Sequence, residues 1–237
     1  MVAKPTIGDV IAEYLSERDK PTKARPSSIK RSIVELLESY MDGYAYDSLS
    51  KDEEAFWRPR WEQDEEANSF SRTFGPQRIP EHVGAFLGWF IIRKVMGGPE
   101  ISEAAGPETL ALLEWLEAKG YVKPGRGLGD AKEIARDAGD ELPRADTLSS
   151  LLYDLTEGDF DDEIVEDLDF EDDPVTISKI EPGQLWFTTF EGEEIGPLAV
   201  PAKASELAVV GWEVSATHFV RSAKGWRLIE TGNVYPS

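Results

Sequence analysis

The densest set of possible metal ligands lies in residues 154–173, with the sequence DLTEGDFDDEIVEDLDFEDD. Twelve of these twenty residues are Asp or Glu, and none is Lys or Arg. The carboxylates of Asp159, Asp161 and Glu163 alternate as the ligands of a calcium-binding loop do. That loop also needs a central glycine for its sharp turn, and no glycine follows these residues. We therefore predict no specific metal site.

The same segment carries apolar residues at helical spacing. Phe160, Ile164 and Leu168 recur every fourth residue, with Val165 beside them. On a helix they would form a narrow apolar stripe, which a purely solvating tail does not need. We interpret residues 154–173 first as an anchored connector between two domains. Docking of a protein partner on the stripe and mimicry of nucleic acid are the alternatives.

A second candidate site combines arginine and tryptophan in the run WRPRW. Such side chains stack on bases or bind phosphate. The residues concerned are Trp57, Arg58, Arg60 and Trp61, with Arg72, Arg78 and Arg93 as further cations. The alternative is a loop whose tryptophans pack on the protein and whose arginines pair with the acidic residues that follow. The composition favours this structural alternative.

The C-terminal residues supply a third candidate through their aromatic content. Seven aromatic residues fall within residues 174–237: Trp186, Phe187, Phe190, Trp212, Phe219, Trp226 and Tyr235. Some of them must form the core of this small region. If Trp186 and Trp226 share an exposed face, with Trp212 nearby, they would form a groove for an extended peptide.

Catalytic chemistry has little support in the sequence. The chain has no cysteine and two histidines, His82 and His218, so thiolate sites, disulfides and a three-histidine zinc site are excluded. No nucleophile elbow, P-loop or dinucleotide fingerprint is present. We expect no catalytic residue and no cofactor, and an enzyme with an unrecognised active site is one of two alternative functions.

The charge of the chain bears on its partners. The formal net charge is −21 over 237 residues, and residues 154–173 contribute more than half of it. Nucleic-acid backbones and anionic membranes repel such a chain unless a basic face is segregated. The longest apolar run, 83–92, is about half as long as a bilayer requires. These features, the missing cysteines and an N-terminus unlike a signal peptide predict a cytoplasmic protein.

Two kinds of periodicity divide the chain. Before residue 154, apolar residues at three- and four-residue spacing predict six or seven helices and no strand. After Pro174 the pattern alternates and predicts four or five short strands. We therefore predict an α+β protein: a helical domain over 1–153, the acidic connector over 154–173, and a small antiparallel barrel or sandwich over 174–237.

Two family resemblances follow from these elements. The segments VIAEYLSER (10–18), SSIKRSIVELLESY (27–40), IPEHVGAFLGWFIIRKVM (79–96) and TLALLEWLEAKGYV (109–122) resemble the helical core-binding domain of phage integrases and tyrosine recombinases. Residues 174–237 resemble a small SH3-like barrel in size and pattern. The first resemblance implies a bundle that grips DNA through basic residues, and residues 7–122 are not basic.

The integrase resemblance does not extend to catalysis. His218-Phe-Val-Arg221 has the His-x-x-Arg spacing of the recombinase motif, and Tyr235 follows it. The residues after Pro174 are too few for the catalytic domain of that family, so recombinase activity is not expected. We predict a non-enzymatic interaction or adaptor protein that binds protein partners. A nucleic-acid-associated factor is the other alternative function.

Overall fold

A computed structural model describes residues 4–18, 28–95, 97–157, 163–170 and 173–236. Phe160 of the predicted docking stripe lies outside these residues. The described residues form nine α-helices and eight β-strands. The predicted α+β class is thereby confirmed.

The helices come first in the chain. Before the sheet they are α1 (Ile7–Arg18), α2 (Ser28–Tyr44), α3 (Lys51–Gln63), α4 (Phe70–Thr73), α5 (Ile79–Ala85), α6 (Ile91–Lys94), α7 (Pro99–Ala118) and α8 (Arg126–Tyr153). A π-helical turn over Phe86–Phe90 joins α5 to α6. Short 3-10 helices span Ala45–Ser48, Pro76–Arg78 and Asp154–Thr156.

The strands lie in the last third of the chain. They are β1 (Glu166–Phe170), β2 (Val175–Glu181), β3 (Gln184–Thr188), β4 (Glu194–Ala199), β5 (Glu213–Val214), β6 (Thr217–Ser222), β7 (Gly225–Glu230) and β8 (Val234–Tyr235). One further helix, α9 (Ala202–Leu207), follows β4.

The chain divides into two compact units. The helical unit comprises Met1–Ile91 and Glu100–Gly139, and the sheet unit comprises Ile92–Pro99 and Asp140–Ser237. Helix α8 contributes residues to both units, and its last four turns, from Asp140, belong to the sheet unit. Pro107 and Pro143 lie inside α7 and α8.

The core of the helical unit is formed by several helices. Ile7 and Ile11 of α1, Leu37 of α2 and Phe86 of the π-helical turn are at most 1% exposed. The π-helical turn after α5 is therefore part of this core. Helices α7 and α8 approach closely at Gly106, where a Cβ atom would lie 2.4 Å from the backbone nitrogen of Gly139. Only glycine fits at that position.

The eight strands form one open sheet. Their order is β1-β6-β7-β4-β3-β2-β5-β8, and the β4–β7 pair alone is parallel. No pairing between described residues joins β8 to β1, so closure into a barrel is not confirmed. The inward face packs into a core formed by Val175, Ile177, Leu185, Phe187, Phe219, Ala145, Leu148 and Leu152.

In its described residues, the acidic segment does not form the predicted helical stripe. Residues 166–170 are strand β1, paired antiparallel to β6 from Glu166–Arg221 to Phe170–Thr217. Leu168 packs against the core of the sheet, and Ile164 precedes the strand. Period-four spacing suggested a helix, but the alternation in Asp-Leu-Asp-Phe has period two, and pairing with β6 stabilises the strand.

Candidate functional site

Helix α3 holds the arginine and tryptophan residues of the first predicted binding site. Ser50 caps the helix, and its hydroxyl accepts a hydrogen bond from the backbone N–H of Glu53 at 3.4 Å. The Glu53 carboxylate accepts one in return from the backbone N–H of Ser50 at 2.9 Å. This capping box starts the helix, so the WRPRW run is helical and not the predicted loop.

Trp57 anchors α3 to the helical unit. Its side chain is 2% exposed, and its indole N–H donates to the backbone oxygen of Asn68 at 2.9 Å. The ring stacks on Tyr46 at 6.1 Å between centroids and contacts the half-buried Trp61 at 5.7 Å. Trp57 therefore has the contacts of a core residue, while Trp61 lies at the margin.

The arginines near α3 already have partners within the protein. Arg58 donates to Glu54 at 2.9 Å, and the Arg60 guanidinium lies 3.9 Å from the centre of the Phe56 ring. Arg78 pairs with Glu81 at 2.8 Å and also with Glu53. The hydrogen bond to the Glu54 carboxylate raises the pKa of Arg58 above its usual range. The arginines thus have partners within the protein, but the partners of Arg58 and Arg78 are not the acidic residues that directly follow WRPRW.

The predicted aromatic groove of the sheet unit is not assembled as expected. Trp212 is 1% exposed, and Trp186 is 8% exposed beneath the ammonium group of Lys179. Trp226 is half-buried, pairs with Leu198 of β4 and lies 5.7 Å from the guanidinium carbon of Arg221. Two of the three tryptophans thus belong to the core, and Trp226 alone reaches the surface.

Strand β1 presents an unpaired edge at the surface. In the described part of the chain it pairs on one side only, with β6. Backbone N–H and C=O groups along the other side of an edge strand are open to a further strand. The side chains alternate: Asp167 and Asp169 are exposed, whereas Leu168 and Phe170 are half-buried against the core.

Two charged contacts hold β1 on the sheet. The Asp167 carboxylate lies 2.6 Å from Nε2 of His218, and Glu166 pairs with Arg221 at 3.3 Å. Asp169 lies directly opposite His218 in the strand register. The strand is thus fixed on its β6 side by side chains as well as by the backbone ladder. Its outer side is a preformed edge and not a frayed segment.

Exposed apolar residues extend this edge beyond the strand. Ile164 is 47% exposed and Val165 is 66% exposed, although both are β-branched residues that favour sheets. The backbone N–H of Val165 donates to the oxygen of Arg221 at 2.8 Å, so β6 also holds this residue. We define the β1 edge as residues 164–170. The predicted docking stripe included Ile164 and Leu168 of this segment. Because a helix was predicted there, an unpaired strand edge was not.

The histidines show no catalytic arrangement. Nε2 of His82 lies 3.1 Å from the Ser48 hydroxyl, but that hydroxyl donates to the backbone oxygen of Ala45 at 2.7 Å. On the other side of the ring, the Tyr40 hydroxyl lies 3.5 Å from Nδ1. Burial lowers the pKa of His82. The Glu81 carboxylate lies 3.6 Å from Nε2 of His82, which is too far for a hydrogen bond that would orient the ring as a base.

Metal and pocket chemistry are equally sparse among the described residues. There, no three His, Asp or Glu side chains converge as a metal ion would require. A cleft of about 640 Å³ in the helical unit is lined mainly by proline, glycine and lysine, with Tyr121 and Glu81 among the other lining residues. Its lining contains no histidine or serine that could serve as base or nucleophile.

Phe190 belongs to the predicted aromatic set, but the sequence did not indicate that it is the exposed member. Phe190 lies in the loop between β3 and β4 and is 97% exposed. Backbone N–H groups of Thr189 and Gly192 donate to Glu193 and Thr189, each at 3.0 Å, and close the loop tightly. The available signal was its position just before the acidic, glycine-containing turn EGEE.

Comparisons with known proteins add no identity: no protein-family model, curated protein or solved structure matches the chain. Among the described residues, the helices are too short or too polar to span a bilayer.

Proposed function

We propose that this protein is a non-enzymatic interaction protein that binds a protein partner through strand addition at the β1 edge. The observation that carries the proposal is the one-sided pairing of β1, whose outer backbone groups are open within the described residues. An extended segment of a partner gains main-chain hydrogen bonds at such an edge, and alternate side chains set specificity. The cysteine-free composition supports a cytoplasmic setting for this activity.

The exposed residues beside β1 favour binding over mere protection of the edge. Acidic side chains on an edge strand often serve to prevent unwanted pairing. Protection alone would not require Ile164 and Val165 to stand exposed at the start of the same edge. Two β-branched residues at an open strand promote pairing, so acid and apolar groups together select among incoming strands.

The nucleic-acid alternative gains less support from the contacts. It requires Arg58, Arg60, Arg72, Arg78 and Arg93 on one accessible face. Arg58 and Arg78 instead pair with carboxylates, and Arg60 covers a phenylalanine ring. The resemblances to integrase core-binding domains and to SH3-like barrels remain predictions, and the proposed function depends on neither.

Site-specific photo-crosslinking tests the proposal. A photoreactive phenylalanine analogue would replace Val165, which is 66% exposed at the β1 edge. The matched control is Val210, a valine of similar exposure, 57%, in the same unit and before β5. We expect illumination in cells to link position 165 to a protein partner, identified by mass spectrometry. Linkage no stronger at position 165 than at position 210 would overturn the proposal.

A further inference from the structure

We infer that the segment bound at the β1 edge is an extended strand in which Lys or Arg alternates with β-branched apolar residues. This inference rests on the proposed function and adds the chemistry of the partner. It follows from which side chains of β1 face outward, which face the core, and what charge surrounds them.

The side chains of β1 alternate between an exposed face and a face that packs on the core. Asp167 and Asp169 are exposed, while Leu168 and Phe170 lie half-buried against the core of the sheet. A strand added beside β1 places its side chains opposite these residues, face for face. Residues opposite the two aspartates therefore meet carboxylates. Residues opposite Leu168 and Phe170 meet apolar surface that remains partly open.

Acidic side chains dominate the charge along the β1 edge. Glu166 and Asp173 flank the aspartates, and Glu230 of β7 pairs with His218 in the register. The cations near β1 are already engaged, since Arg221 pairs with Glu166 and His218 contacts Asp167. Opposite charges placed across a strand pair stabilise it, and like charges destabilise it. A cationic face complements this edge, and an anionic face is repelled.

A second copy of this chain is a poor candidate for the strand that binds at the β1 edge. Pairing of β1 with β1 would set aspartates against aspartates across the new ladder. The net charge of −21 adds long-range repulsion between two copies. The exposed valine and isoleucine would otherwise favour such pairing, so the acids act as the selective element. The occupant is therefore a different chain of opposite charge.

Four labelled peptides of seven residues serve as probes with the full chain. In the first, Lys alternates with Val; in the second, Thr replaces Lys; in the third, Glu replaces Lys. The fourth has the composition of the first, with the lysines and valines in separate blocks. Fluorescence anisotropy gives Kd, and amide hydrogen exchange with NMR detection reports protection along residues 164–170.

We expect the alternating Lys peptide to bind about tenfold more tightly than the Thr peptide, since two exposed ion pairs contribute roughly that factor. The preference should shrink at 0.5 M salt through screening. The double variant Asp167→Asn with Asp169→Asn should remove the preference for the Lys peptide over the Thr peptide. The control variant, Glu62→Gln with Glu65→Gln near α3, should leave both affinities as they are.

The outcomes separate the inference from the proposed function. Equal Kd values for the Lys and Thr peptides, with β1 amides protected, would overturn the cationic partner and leave strand addition standing. Equal binding of the block peptide would overturn the alternating strand, because charge alone would then suffice. Failure of all four peptides to protect the β1 amides would overturn both statements.

Discussion

Helix α3 and strand β1 are both acidic surface elements, but they differ in what their groups contact. On α3, the capping box occupies Ser50 and Glu53, and the nearby arginines are paired or stacked. On β1, side chains bind the β6 neighbour, and the outer backbone row is open in the described residues. We therefore expect unsatisfied backbone pairing capacity, rather than charge or aromatic content, to determine where a partner binds.

The largest expected effect tests whether α3 is structural. Trp57→Ala removes a buried aromatic ring together with its hydrogen bond to Asn68, and should destabilise the helical unit by about 3–5 kcal/mol. Urea unfolding, with hydrogen exchange of the α3 amides as the probe, would measure this loss in the free energy of unfolding. Trp61→Ala is the matched control and should cost far less, because Trp61 is half-buried. Equal losses for the two variants would contradict the anchoring role of Trp57.

A second prediction concerns self-association at β1. Asp169→Val replaces an outward carboxylate by a β-branched residue, so two copies of β1 would no longer face full charge repulsion. Each relieved like-charge contact or new apolar pair contributes about 0.2–1 kcal/mol. We expect a concentration-dependent dimer in analytical ultracentrifugation. Glu62→Val on α3 should remain monomeric, and dimerisation of both variants would remove the distinction between the two acidic elements.

The same two elements show how far the sequence could be read. Helical periodicity predicted helices before residue 154, because the apolar spacing that defines a helix is local in sequence. Partner strands are distant in sequence, so the register of β1 against β6 was not visible in residues 154–173. The pairing of Arg58 with Glu54 four residues earlier was missed, because the WRPRW run was predicted to be a loop whose arginines pair with the acids that follow. Burial of Trp186 and Trp212 depended on sheet packing that composition does not encode.

A smaller effect is the pH dependence of the stability that Glu53 contributes to α3. Hydrogen bonds from the Ser50 hydroxyl and backbone, together with Arg78, lower the pKa of Glu53 to about 2. A lowered folded-state pKa stabilises the fold above the ordinary value near 4.5, and this contribution is lost as pH falls toward 2. The stability difference between the wild type and Glu53→Gln should therefore shrink as pH falls from 5 to 2.

NMR titration of the Glu53 carboxyl carbon checks the origin of this pH effect. Ser50→Ala removes the hydroxyl donor, so the pKa of Glu53 should move back toward 4.5 in that variant. An unchanged titration midpoint in Ser50→Ala would contradict the capping box as the main cause. A Glu53 midpoint near 4.5 in the wild type would show that neither the capping box nor Arg78 lowers its pKa.

The smallest expected effect lies at the loop between β3 and β4. Phe190→Ala removes an aromatic ring that is 97% exposed, so stability should change by less than about 0.5 kcal/mol. Phe187→Ala, three residues earlier, removes a ring that is 1% exposed and packed against Phe219, and should cost about 3–5 kcal/mol. Thermal unfolding of the two variants measures the contrast. A substantial loss at Phe190 would mean that its ring packs on the protein, whereas a negligible loss leaves it available to a partner. If the partner cross-linked at position 165 also loses affinity for Phe190→Ala, the contact surface extends from the β1 edge to this loop.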